Sequence, residues 1–387
     1  MAETLQNWQR GGFGLYLHWP FCQAKCPYCD FNSHVAQSID QDRWAAAYLK
    51  EIDRLAEETG DRILGSVFFG GGTPSLMEPR IVGQILDRIG RRWRLRNDFE
   101  VTLEANPTSI EADRFAGYRT AGVNRVSMGM QALNDADLKR LGRLHSVDEG
   151  LQAFDIARSA FERVSFDLIY ARQDQTPEDW AAELRRALGL CADHLSLYQL
   201  TVEDGTAFGD RLARGGLRGL PDEDHAADMY EITQELASAA GLPAYEISNH
   251  AMPGAESRHN LIYWRAGDWL GIGPGAHGRL TFDAERWATE APKAPGAWLK
   301  GVETGSGGEL DRSLLTPLEC QEEALMMGLR LSEGIELSPE LVDGLTAFDT
   351  KVDGLAELGL LHRTGDLLAA TPAGRPVLNG ILRELLA

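Results

Sequence analysis

A chain of 387 residues is longer than the usual single domain, so one large unit and one smaller unit are expected. Apolar residues at 43% and charged residues at 25% give a soluble, cored composition, and a formal net charge of −20 argues against a broad nucleic-acid face, which needs a basic stripe. No apolar run approaches the ~18 residues of a membrane span, and the N-terminal MAETLQNWQRGG lacks a basic-then-apolar signal pattern, so a cytoplasmic protein with no transmembrane segment is expected.

In chain order, strands are predicted at Phe13–Trp19, Ser66–Gly70, Phe99–Ala105, Asn124–Gly129, Arg163–Tyr170 and Asp193–Leu200. Between the first two, Trp44, Tyr48, Ile52 and Leu55 recur at helical spacing and mark one apolar helix face. Further helices are predicted over Pro79–Trp93, Ser109–Ala121, Asp148–Phe161 and Thr176–Leu190. Alternating strand and helix is the pattern of parallel βα units, and six units make an open partial barrel, a (β/α)6 arrangement of the α/β class.

After a helix near Asp222–Ala240 glycine and proline accumulate, and Lys293–Leu310 has the composition of a connector. Thr316, Pro317 and Glu319 then form a capping-box start to a new helix. Leu360–Thr371 has the pattern of a hairpin around Gly365, and a last helix closes the chain. The predicted organisation is a core over 1–240, a barrel-flanking segment with the connector over 241–308, and a small winged-helix-like domain over 309–387. Such domains often bind DNA, but from Leu310 onward 13 Asp and Glu face 6 Lys and Arg, which favours a structural or protein-contact role.

Three of the five cysteines, Cys22, Cys26 and Cys29, lie within HWPFCQAKCPYCDFNSH. An odd, clustered set in a reducing compartment points to metal or redox chemistry, not disulfides. Structural zinc closes its shell with four ligands, so His18 or His34 would have to complete a zinc site. A [4Fe–4S] cluster on three thiolates instead keeps one iron open for a ligand. The second strand runs into FFGGGTPSL, where Gly71, Gly72 and Thr73 let backbone approach a ligand closely. Glu104, Gln131, Arg143 and Asp167 lie at or after later strand ends, which converge on one mouth in barrels. A carboxylate there can hold an ammonium or ribose hydroxyls, and an arginine can pair with a carboxylate.

CQAKCPYC is the CxxxCxxC signature of the radical S-adenosylmethionine (SAM) proteins, and on that motif the chain resembles that family. The resemblance implies a [4Fe–4S] cluster on Cys22, Cys26 and Cys29, whose open iron binds SAM and whose electron splits it to methionine and a 5′-deoxyadenosyl radical. Along nearly its whole length the chain looks like the branch that contains oxygen-independent coproporphyrinogen III oxidase and the HemW haem chaperones. By that likeness Tyr16 and Tyr28, together with Gly71, Gly72, Thr73, Glu104, Gln131, Arg143 and Asp167, match positions at the SAM sites. Several of these belong to a second SAM site in the oxidase.

Two departures separate this chain from the oxidase. The oxidase has a further cysteine two positions after the third, where Phe31 stands here, and a longer N-terminal segment, where fifteen residues precede Tyr16. In LIYARQDQT, Arg172 and Asp174 stand where the HemW group has a Leu-Pro-Gly turn. His259, Asn260, Tyr263 and Trp264 match that group's HNxxYW motif, whose histidine is implicated in haem binding. Imidazole is a good iron ligand, the aromatic pair offers flat apolar area, and Arg258 or Arg265 can meet propionates. The alternative for His259 is a core cluster in which it hydrogen-bonds to backbone; His277 in GPGAH is a second candidate, for which a structural role stands level with a ligand role.

The resemblance thus implies a haem chaperone that passes haem to apo-acceptor proteins such as membrane respiratory enzymes, reaching the membrane through partners. The alternative is a radical enzyme that oxidatively decarboxylates coproporphyrinogen III. No catalytic residue is assigned.

Overall fold

In a computed structural model, residues 6–108, 113–190 and 192–387 are described. Six parallel strands run side by side in chain order: β1 (Phe13–Trp19), β2 (Ile63–Gly71), β3 (Arg94–Ala105), β4 (Arg125–Gln131), β5 (Arg163–Tyr170) and β6 (His194–Gln199). One face of each is apolar. Leu15, Leu17, Val67, Phe69, Val101, Leu103, Val126, Met128, Val164, Phe166, Leu195 and Leu197 are all buried in one core with the surrounding helices. The alternate positions are mostly polar and share hydrogen bonds across the inner face: Arg125 reaches Ser165, Ser165 reaches Ser127, and Ser127 reaches Asp167. Side chains alternate across a strand, so this polar inner face follows directly from hiding the apolar one.

The helices fall where the apolar periodicity places them. Gln41–Thr59 buries Trp44, Tyr48, Ile52 and Leu55 and is capped by the Asp40 carboxylate, which accepts from Arg43 N. Val147–Ala160 and Pro177–Leu188 begin with capping boxes at Ser146 and Thr176. The helix predicted over Ser109–Ala121 is seen as Phe115–Ala121, and its first four positions lie outside the described residues.

The sheet does not stop at six strands. Short β7 (Asn249–Ala251) pairs antiparallel with β6. On the opposite side β8 (Asp268–Ile272) pairs parallel with β1, followed by antiparallel β9 (His277–Phe282), β10 (Glu285–Glu290) and β11 (Asp311–Leu314). Glycines in this region mark close approach of strands, not loose chain: a Cβ on Gly271 would meet His277 O at 2.2 Å, and one on Gly273, at φ +117°, would meet His18 O at 2.3 Å. The predicted connector over 293–310 contains a helix, Pro295–Thr304, whose Trp298 stacks on Trp44 at 5.6 Å. Its apolar positions 298, 299 and 302 are a helical face too short to stand out among glycines.

The C-terminal part starts at the Thr316 capping box with helix Pro317–Gly328. It has a three-stranded sheet in which Leu367–Ala370 lies between Ile335–Glu336 and Leu361–Thr364, and a separate core of Leu325, Val352, Leu368 and Leu385. The hairpin turns at Gly365, φ +61°, as its sequence requires.

A buried ion network ties β8 to the rest. Asp268, 0% exposed, accepts from Arg62 at 2.6 Å, Arg286 at 3.1 Å, Thr281 N at 2.5 Å and Thr281 Oγ1 at 2.9 Å. Arg286 also reaches Glu323 of helix Pro317–Gly328 at 3.1 Å. Removing the carboxylate leaves buried Arg62 without its ion-pair partner and Arg286 with Glu323 alone. Asp268→Ala is therefore expected to cost about 3–5 kcal/mol in urea unfolding, and a loss under about 1 kcal/mol would show that the network contributes no more than a surface pair.

Candidate functional site: a cysteine-walled pocket at the barrel mouth

After β1 the chain turns through Pro20 and pairs Phe21–Cys22 with His34–Val35, closing a loop that carries all three cysteines. The loop is pinned from two sides. Gly72 N donates to Trp19 O at 2.6 Å and Thr73 N to Phe21 O at 2.8 Å, which fastens the end of β2 to the loop's entry. Asn32 Nδ2 donates to Pro274 O and Lys293 O, both at 2.9 Å, which fastens its exit to the β8–β10 edge. Gly71 sits at φ +110°, and a Cβ on it would lie 2.6 Å from the His18 ring. Glycine is required there on both counts.

One pocket is lined by Cys22, Cys26, Tyr28, Cys29, Gly71, Gly72, Thr73, Glu104, Gln131, Arg143 and Asp167. The structure thus brings together eleven sequence-predicted residues from the cysteine loop and from β2 through β5. All three thiols are free and half-buried. Thr73 Oγ1 and Arg143 Nη1 each lie 3.4 Å from a sulfur, those of Cys22 and Cys26. Burial pushes the Cys22 and Cys29 thiols up, while Thr73 and the Arg143 charge act against this at Cys22. Among the described residues no three His, Cys, Asp or Glu side chains converge on one point. An iron–sulfur cluster, which takes each thiolate on a different iron, does not ask them to.

The remaining walls are polar. Glu104 accepts from Gly71 N at 3.2 Å. Burial, then the facing Asp167, raises its carboxyl to about 8, and burial raises Asp167 to about 6 against hydrogen bonds from Ser196 and Ser127. Gln131 holds φ +68° at an irregularity in the β4–β5 pairing, a strained backbone that turns its amide back over Gly129. Arg143 donates to Asn106 Oδ1 at 2.6 Å and Gly129 O at 2.8 Å, and its Nε is buried without a partner. An orphan guanidinium N–H and free thiols in one pocket fit an anionic sulfide cluster with a carboxylate-bearing ligand. In the glycine turn the N–H groups of Gly71, Gly72 and Thr73 are all already donated, so the turn can offer a ligand only acceptors and the Thr73 hydroxyl.

Sequence reasoning missed Asn106, which joins Arg143 to Thr73 Oγ1 (3.3 Å), and Ser127, Ser33 and Pro74 on the pocket wall. Asn106 was detectable in LEANP as a polar residue just past a strand end. Two expected residues lie elsewhere. Tyr16 is beneath the pocket, its hydroxyl 3.0 Å from His18 Nδ1. His259, 1% exposed, occupies the lower inner face, with Nδ1 at 2.8 Å from Ser66 Oγ and Nε2 at 3.0 Å from Tyr263 OH. The i, i+4 spacing of the motif on helix Arg258–Trp264 turns both rings inward, where His259 stacks on Phe68 at 5.1 Å and burial lowers it to about 3. His277 is exposed at the start of β9. His18 and His34, the alternative zinc ligands, are both turned to Asn32, at 2.9 Å from its O and 3.2 Å from its Oδ1. Arg172, standing in place of the Leu-Pro-Gly turn, is buried between Asp137 (2.9 Å) and Glu183 (2.5 Å), and Ala171 and Asp174 take left-handed conformations in that turn.

Three cysteines and a glycine turn at the mouth of six parallel strands define a radical SAM domain, and residues 16–187 match the family model described as Radical SAM superfamily. Residues 315–377 match the HemN C-terminal domain. The chain is 37% identical to the haem chaperone HemW of Escherichia coli, over 96% of this chain and 98% of that one. It is 39% identical to the mitochondrial radical S-adenosyl methionine domain-containing protein 1 of Bos taurus, over 96% and 87%. Its fold matches the solved structure of coproporphyrinogen III oxidase (HemN) from Escherichia coli with TM-score 0.82 at 22% identity, over 97% and 90% of the two chains. The chain belongs to the HemW family of radical SAM proteins.

The raised Glu104 carboxyl has a consequence for stability. Its proton is held more tightly folded than unfolded, so the contribution is complete below the ordinary value of 4.5 and is lost as pH rises through about 8. In cluster-free protein, Glu104→Gln is expected to flatten the fall of the melting temperature over that interval and to exceed the wild type at its upper end. Parallel curves for the two proteins would show that Glu104 is ionised throughout.

Proposed function

We propose that this protein is a haem chaperone that holds a [4Fe–4S] cluster and SAM and delivers haem to apo-acceptor proteins, respiratory haem enzymes among them. The observation that carries the first half is the pocket itself, with three thiols, an orphan arginine N–H and two buried carboxyls sharing one cavity. Cys22, Cys26 and Cys29 would ligate three irons. Arg143 would meet the SAM carboxylate, and Glu104 or Asp167 its ammonium or ribose hydroxyls. Bound there, the cluster would supply an electron to SAM; whether that electron is used for chemistry distinguishes an enzyme from a chaperone. The haem half rests on the chaperone relatives along the whole chain and on the HNxxYW motif.

Two imidazoles compete for haem iron. His259 would have to give up two hydrogen bonds and a buried position, whereas His277 is exposed and its ring holds no hydrogen bond among the described residues. First capture at His277 therefore needs no rearrangement, and ligation by His259 needs helix Arg258–Trp264 to release Ser66 and Tyr263. Among the described residues no helix is long and apolar enough to cross a membrane, so delivery at a membrane would run through a partner.

After anaerobic reconstitution the wild type is expected to show iron–sulfur absorbance that Cys26→Ala loses, a Soret shift with haem, and no conversion of coproporphyrinogen III with SAM and reductant. Turnover of coproporphyrinogen would replace the chaperone assignment with the oxidase. His277→Ala is expected to weaken the Soret shift more than His259→Ala; the reverse order would show that the motif helix opens.

A further inference from the structure

A second cleft, of about 440 Å³, lies between the open edge of the barrel and the C-terminal part, away from the cysteines. Tyr170 and Gln199, the last residues of β5 and β6, form its barrel side, so it opens at the same strand ends as the cysteine pocket. Arg330, just past helix Pro317–Gly328, and Arg375, before the last helix, enter from the C-terminal side. Most other buried or half-buried arginines among the described residues are ion-paired with a carboxylate. Arg114 and Arg125 instead donate to carbonyl or hydroxyl oxygens. Arg330 and Arg375, like Arg143 in the cysteine pocket, have no ion-pair partner among the described residues. Arg375 Nε and Nη2 are buried with no hydrogen-bond partner. Arg330 lies over the Trp264 ring at 5.8 Å, which orients its guanidinium without neutralising it. A third donor, the Tyr230 hydroxyl, is also buried and unpartnered. The uncompensated field is felt next door: buried His250 is lowered to about 4, by burial first and with Arg375 contributing.

Unpaired guanidinium donors withdrawn from water are costly unless an anion meets them, and a planar carboxylate matches the guanidinium fork. The walls fit an apolar body: Ile247, Pro376 and Leu378 line the cleft. Exposed Asp222 and Glu223 stand at the rim and disfavour a polyphosphate. We propose that this cleft binds the carboxylate of an apolar-bodied organic acid, with Arg375 and Arg330 on the carboxylate and Tyr230 as an added donor. The carboxylate has two sources, a porphyrin propionate or a simple aromatic or fatty acid. The first would make the cleft a dock for the cargo of the proposed function; the second would make it independent of that function.

Full-length protein is titrated, by fluorescence, with metal-free protoporphyrin IX and its dimethyl ester, and separately with 2-naphthoate and 2-naphthamide. None of these probes needs an iron ligand, so failure here is distinct from failure of the haem assignment. At least one acid is expected to bind about tenfold or more tightly than its masked form. Arg375→Gln should remove that advantage, Tyr230→Phe should reduce it a few-fold, and both variants should melt like the wild type. An effect on the porphyrin acid alone assigns the propionate, and one on naphthoate alone assigns the simple acid. Should Arg375→Gln unfold, Arg330→Gln carries the same expectation. Equal binding of acid and masked forms, or folded Arg375→Gln and Arg330→Gln variants with undiminished affinity for the acids, overturns the proposal.

Discussion

Each parallel strand of the sheet must hide one face under helices, and that requirement hands the other face to polar residues. Leu15, Leu17, Val126, Met128 and Phe166 are spent on the helix side, so Tyr16, Ser127, Arg125 and Asp167 look inward. A partial barrel does not fill its interior with apolar layers as a closed one does. The inner face keeps Glu104 and Asp167 in a setting dry enough to hold their carboxyls above the usual range, beside Arg143 with an N–H to spare. Burial is the cause in each case, and burial is also what makes a charged ligand welcome there.

The cysteine loop has little regular structure of its own and borrows its shape from neighbours. The Gly71–Thr73 turn latches its entry, and Asn32 latches its exit to Pro274 and Lys293, more than two hundred residues away. His18 links the two, bonded to Asn32 O on one nitrogen and to Tyr16 OH on the other. The edge strands β8–β11 are therefore part of the site's support, and Asp268 holds them by joining Arg62 to Arg286. The same network runs on to Glu323, so the C-terminal part is mechanically joined to the wall that fixes the loop.

Six strands, their order and the helix faces were legible because period-two and helical patterns are local. The pocket residues were legible because strand ends in a parallel barrel share one mouth, which made Glu104, Gln131 and Asp167 candidates from position alone. The edge strands were not: their glycines look like loop composition, and only the partner backbone shows that Gly271 and Gly273 exist to let chains approach. Arg172 stood out only as a charge in place of the Leu-Pro-Gly turn, because its partners Asp137 and Glu183 are remote in sequence or hidden in a helix. For His259 the sequence left a structural role and a ligand role both open, because the motif gives no sign of Ser66, nearly two hundred residues earlier, which takes one of its nitrogens.

The sequence by itself determined the chemistry available: three cysteines with no fourth nearby, a glycine turn, a phenylalanine at position 31 and an alternating α/β order. Those are properties of neighbouring residues, and short-range spacing suffices to specify them. Tertiary structure decided which groups are free to act. It closed His259 between two hydroxyls, left His277 in solvent, turned Arg172 into a structural pair and left Arg375 without one. Whether a polar atom is satisfied depends on partners brought from anywhere in the chain, and no local pattern records them.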